Sequence, residues 1–124
     1  MAQIIRLGAR PSKLALIQAE QVKKKLCELN NNNTVEIIPI HTEGDLDQKS
    51  SMKDLGGKGV FIRTLEQALL DNVIDAAVHS FKDVTADLME GTCLTSFFTP
   101  EAVTDCVVMS NNAHKTLSDL PKGS

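Results

Sequence analysis

Apolar residues recur along this chain in two different periods, and the changes of period predict where strands give way to helices. Gln3 to Gly8 reads as a first strand, and Ala9-Arg10-Pro11-Ser12 then supplies the proline and serine that commonly precede a helix. From Ser12 onward Ala15, Ala19, Val22, Leu26 and Leu29 return at steps of three and four, while Glu20, Lys24 and Glu28 fall on other faces. That spacing predicts an amphipathic helix lying on a sheet. The run Asn30 to Asn33 ends it, because asparagine tolerates left-handed backbone and bonds its own main chain in turns. Thr34 to Ile40 is rich in β-branched residues and reads as a second strand, with Pro39 pointing to its end or to a sheet edge.

The span Thr42 to Gly59 is polar and long for a connection, a length that in compact domains usually goes with function or mobility. Phe61, Leu65, Ala68 and Leu69 then mark a second helix, Asn72 closes it, and Ile74 to His79 returns as a third strand. Alternation of strand and helix predicts an α/β fold with a largely parallel sheet and right-handed crossovers. Further on, Thr92 to Phe98 reads as another strand, Thr99-Pro100-Glu101 breaks the pattern, and Asp105 to Ser110 resumes it. The expected division is a first lobe over residues 1–99, with 100–124 a crossover into a second.

Composition narrows the possibilities. A chain of 124 residues holds one domain and little more, and 42% apolar with 23% charged residues is ordinary for a globular protein. A net charge of -3 provides no broad basic field, which argues against nucleic acid as a partner and requires any anion to be met by a local cluster of cations. Cys27, Cys93 and Cys106 have neither zinc-site spacing nor disulfide density, and read as reduced thiols of a cytoplasmic protein. No segment approaches the roughly 18 apolar residues that a membrane span needs.

In open α/β sheets ligands bind beyond the carboxyl ends of the strands, where helix N-termini converge. Arg10 and Ser12 follow the first strand, and Lys82 and Asp83 follow the third, so the topology brings both pairs to one rim. Lys58, within Gly56-Gly57-Lys58-Gly59, lies just before the second helix, where glycines let backbone approach a ligand. Each residue also has a purely structural reading. Ser12 suits a helix N-cap, the glycine cluster suits a turn, and it is not a phosphate-cradling GxxxxGK[ST] loop. Lys82 and Asp83 suit a surface ion pair, Asp83 a cap for the turn at Val84, and His79 a locally hydrogen-bonded strand end. No metal-ligand spacing occurs. Taken together, three cations and one carboxylate suit a ligand with several carboxylates and a centre whose positive charge grows during reaction.

Three stretches, LGARPSKLALIQ, GGKGVFIRTLEQALL and AVHSFKDV, in this order and spacing, resemble the N-terminal third of the porphobilinogen deaminase (hydroxymethylbilane synthase) family. The resemblance implies joining four porphobilinogen molecules into linear hydroxymethylbilane with release of ammonia, in haem and tetrapyrrole biosynthesis, by a monomeric enzyme. It implies a fold like that of the two-lobed periplasmic binding proteins, of which this chain would hold one lobe with a mostly parallel mixed sheet, left incomplete. It implies a dipyrromethane cofactor whose attachment cysteine lies outside this chain, so that the chain alone should not turn over. Asp83 matches the catalytic aspartate, which also contacts the cofactor and faces the cationic pyrrole species formed as ammonia leaves. Arg10, Ser12, Lys58 and Lys82 match residues that hold acetate and propionate side chains. Thr85 stands where the family commonly has proline, Phe81 where it has Met or Leu, and Asp54 beside Lys53 where a basic residue is frequent. A non-enzymatic anion-binding lobe of periplasmic-binding-protein type is the alternative reading, and a free-standing structural or regulatory fragment is a third.

Overall fold

The computed structural model describes residues 3–42, 59–96 and 98–99. The chain divides into two compact units, Met1–Leu94 and Thr95–Ser124, and the elements below belong to the first. Strand β1 is Ile4–Ala9, helix α1 Lys13–Leu29, strand β2 Thr34–Pro39, helix α2 Val60–Leu70 and strand β3 Ala76–Ala77, followed by a 3-10 turn at Phe81–Asp83. The sheet order is β2-β1-β3, and both pairings are parallel.

Local chemistry sets most of the boundaries. Ser12 caps α1, its Oγ accepting from the Ala15 N–H at 3.3 Å. Asn30 closes α1, and its Oδ1 accepts from the Asn32 N–H at 3.0 Å, the self-bonding turn that the asparagine run predicts. Asn72 ends the second helical stretch in the left-handed region at φ 56. β2 runs in register from Ile4↔Thr34 to Ala9↔Pro39, so the proline sits at the end of an edge strand among the described residues.

Leu7, Gly8 and Ala9 are all buried in consecutive positions, so β1 is covered on both faces, by α1 and by α2. The Gly8 side packs against Ile74 of a cluster with Leu65 and Ala68, onto which Ile38, Ile40, Leu69 and Ala77 close. A Cβ on Gly8 would come within 2.2 Å of the Ile74 Cδ1, so any side chain here would force the buried Ile74 to shift. No helix among the described residues is long and apolar enough to cross a membrane.

Several expectations are corrected. The third strand is shorter than Ile74 to His79. Its ladder covers Ala76–Ala77, extended by Asp75 N–H to Arg6 O at 2.8 Å and Val78 N–H to Gly8 O at 2.9 Å. β1 ends at Ala9 and the last bond to this side is the one from Val78 to Gly8, so His79 has no ladder partner. The described residues of Thr92 to Phe98 form no strand; Leu94 and Phe98 stand 47% and 50% exposed, and β-propensity without an adjoining edge does not make a ladder. The described sheet is all-parallel, with no antiparallel member that would make it mixed. Leu29, expected on the packed stripe of α1, is the last residue of that helix and is 82% exposed.

Candidate functional site

From β1 the chain passes to β2 on one side, and β3 returns on the other, so the sheet's switch of direction falls between β1 and β3. Crevices at the carboxyl ends of such strands are the usual ligand sites of open α/β sheets. Arg10 lies just beyond β1, and Ser80 to Asp83 just beyond β3. The first turn of α1, behind its Ser12 cap, presents unpaired N–H groups at the same end.

Arg10 is half-buried, with its guanidinium carbon 3.7 Å from the centroid of the Phe61 ring. Phe61 belongs to the first turn of α2, so this stacking ties the end of β1 to the start of the second helix. On the β3 side, the Ser80 Oγ donates to Gln18 Oε1 of α1 at 2.9 Å. The turn that follows is closed by the Asp83 N–H to Ser80 O at 3.0 Å and the Val84 N–H to Phe81 O at 3.1 Å. Among the described residues the half-buried Asp83 carboxylate accepts no hydrogen bond and joins no ion pair, and the exposed Lys82 beside it does not neutralise it. The ion-pair and turn-cap readings of these two residues are therefore not realised. Adjacent side chains on a short turn diverge, which keeps the ammonium and the carboxylate apart.

His79 sits between the two strand ends, half-buried, and its ring makes no hydrogen bond among the described residues, contrary to the local bonding expected of it. Burial lowers its pKa below the ordinary 6.5, the negative charges of Glu66 and Asp83 oppose that shift, and the positive charge of Arg10 adds to it. One imidazole thus feels the charges of Arg10, Asp83 and Glu66 at once, although 73 positions separate Arg10 from Asp83 in the chain (83 minus 10).

Of the residues expected at the site, Arg10, Ser12, Lys82 and Asp83 stand at the carboxyl end of the sheet, with the Ser12 oxygen also serving as the α1 cap. A hydroxyl that accepts can still donate, so capping does not preclude carboxylate binding. Lys58, together with Lys53 and Asp54, lies outside the described residues. The sequence reading missed Phe61 and Glu66. Phe61 counts as one more apolar residue of a helix stripe, and Glu66 on a helix reads as solvent-facing, yet it is only 4% exposed. Among the described residues no group of His, Cys, Asp and Glu side chains could hold a metal ion. Cys27 is half-buried and Cys93 exposed, both as free thiols, and Cys106 lies outside the described residues.

Comparison with known proteins bears on what this rim does. The family model described as "Porphobilinogen deaminase, dipyromethane cofactor binding domain" matches residues 5–124. The chain is 49% identical over 121 residues to a porphobilinogen deaminase of Orientia tsutsugamushi (strain Boryong), covering 98% of this chain and 40% of the relative. It is 42% identical over 122 residues to that of Streptococcus sanguinis (strain SK36), with 98% and 40% covered. Against that of Bacillus pumilus (strain SAFR-032) it is 42% identical over 120 residues, with 97% and 38% covered. The chain spans about two fifths of the length of these relatives.

Proposed function

This chain belongs to the porphobilinogen deaminase family, and from that premise we propose that it carries the cofactor-holding and charge-stabilising part of a hydroxymethylbilane synthase. The observation that carries the reading is the Asp83 carboxylate, half-buried, without a partner among the described residues and at the same carboxyl end of the sheet as Arg10.

Porphobilinogen loses its aminomethyl nitrogen as ammonia, which departs with the bonding electron pair and leaves positive charge spread over the pyrrole. A fixed carboxylate that is not already neutralised, in a half-buried setting of reduced dielectric, stabilises that charge more than it stabilises the neutral ring. Asp83 is the residue proposed for this role, and a carboxylate is also suited to accept hydrogen bonds from pyrrole N–H groups. Arg10 offers a planar fork for a carboxylate, Lys82 a mobile point charge, and Ser12 a hydroxyl donor, with Lys58 proposed as a further cation from its match to the family motif. This donor set fits dipyrromethane, whose acetate and propionate groups need cations while its pyrrole N–H groups need an acceptor. When bound, that group supplies the pyrrole carbon on which the chain is extended. The 3-10 turn Phe81–Asp83 carries Lys82 and Asp83 side by side, so one stretch offers both a cation and an acceptor.

We further propose that residues 1–99 form the first of two α/β lobes, in the manner of periplasmic binding proteins, with the cleft at the β1/β3 switch point. The parallel order β2-β1-β3 supports this reading.

The test is Asp83→Asn in the full-length gene product, supplied with porphobilinogen. Bilane formation should fall by about 100-fold or more, with the fold and covalent pyrrole content kept, as expected for loss of a preorganised electrostatic group. Near-normal product formation would remove Asp83 from the reaction. Binding of porphobilinogen without product from the wild type would favour an anion-binding lobe instead.

A further inference from the structure

The Asp83 side chain makes no hydrogen bond of its own among the described residues, so something else must hold it in place. The turn that bears it is anchored at its start by Ser80 Oγ on Gln18 Oε1. Its outgoing segment, Val84 to Thr92, has few ties until it reaches α2. There the Glu66 Oε1 accepts from the Met89 N–H at 3.0 Å and lies 3.0 Å from the Thr92 Oγ, whose single proton is shared with Met89 O at 2.8 Å. The Thr92 N–H donates to the same Met89 carbonyl at 3.0 Å, closing a turn through Gly91 at φ 93. A Cβ on Gly91 would lie 3.0 Å from Leu70 Cδ2, so this turn is pressed onto the end of α2. Burying a carboxylate to 4% exposure costs stability unless its bonds are made, and an apolar residue would fill this position of α2 without that cost.

We propose that Glu66 is a positioning residue for Asp83: by clasping Met89 and Thr92 it fixes the far end of the short segment whose near end carries the catalytic carboxylate. In this role Glu66 acts through the backbone from Thr92 back to Val84. The catalytic half of this proposal rests on the reading of Asp83 given above.

Two measurements on the full-length gene product test it. Glu66→Ala should speed amide hydrogen exchange at Asp83 and Val84 by about tenfold or more while leaving β1 and β2 unchanged. In turnover it should lower kcat about tenfold with KM within about twofold, and Glu66→Gln, whose amide oxygen can still accept from Met89 and Thr92, should recover most of the loss. In an Asp83→Asn background Glu66→Ala should cost less than about twofold more, because the group it positions is already disabled. Unchanged exchange at Asp83 and Val84, or the same kcat loss in both backgrounds, would overturn the proposal. If the wild type forms no bilane, the functional reading fails and the exchange measurement still decides whether Glu66 holds the Asp83 turn.

Discussion

Arg6 and Arg10 stand toward opposite ends of β1, and Asp75 and Asp83 flank β3 in the same way, yet the two ends treat their charges differently. At the amino end, Arg6 Nη2 donates to Asp75 Oδ1 at 2.7 Å, Nε to Oδ2 at 3.0 Å, and Nη1 to Asn72 O at 2.6 Å, while the Arg6 backbone N–H reaches Oδ2 at 2.8 Å. These bonds tie β1 to the segment that leads from α2 into β3. At the carboxyl end Arg10 stacks on Phe61, and Asp83 is left without a hydrogen bond or ion pair among the described residues. A neutralised pair builds a frame, whereas an uncommitted carboxylate can respond to a charge that arrives with a substrate.

Breaking the frame at its tightest point should have the largest effect on stability. Gly8→Val would push a side chain into the buried Ile74, and overpacking of this kind costs about 1–3 kcal/mol. Chemical denaturation reads it; an unchanged midpoint would mean that Ile74 yields freely. A smaller effect belongs to the exposed Arg6–Asp75 pair, whose value is mainly in register. Hydrogen bonds from the Arg6 side chain, and then from its backbone, hold the Asp75 pKa down to about 2 from an ordinary 3.8. Because the folded state favours the ionised form, this stabilisation is complete above pH 3.8 and is lost as pH falls through about 2. Thermal midpoints of wild type and Asp75→Asn should therefore differ near neutral pH and converge toward pH 2. A gap that ignores pH would assign the effect to packing.

Much of this contrast could be read in the residues beforehand. The 3.6-residue period of Leu65, Ala68 and Leu69 located α2, and Ser12 and Asn72 marked helix ends through their own backbone chemistry. The strand ends of an α/β sheet follow from topology, so Arg10 and Asp83 could be assigned to one rim without coordinates. What could not be read depends on partners distant in sequence. Nothing local says that Glu66 turns inward to Met89 and Thr92, that Phe61 supports Arg10, or that Arg6 takes Asp75 and so leaves β3 only two residues of ladder. Thr92 to Phe98 misleads for the same reason, since its apolar residues suit a strand only where an edge is present to pair with.

The smallest expected shift tests the central claim most directly, because it reads Arg10 and Asp83 from a common neighbour. The His79 imidazole can be followed by NMR against pH in the wild type, in Asp83→Asn and in Arg10→Gln. The wild-type ring should titrate below 6.5; loss of the Asp83 charge should lower the midpoint further, and loss of the Arg10 charge should raise it. Opposite displacements would show that both charges act on the His79 ring at the carboxyl end of the sheet, as the account requires. A midpoint indifferent to either substitution, or displaced the same way by both, would contradict the account.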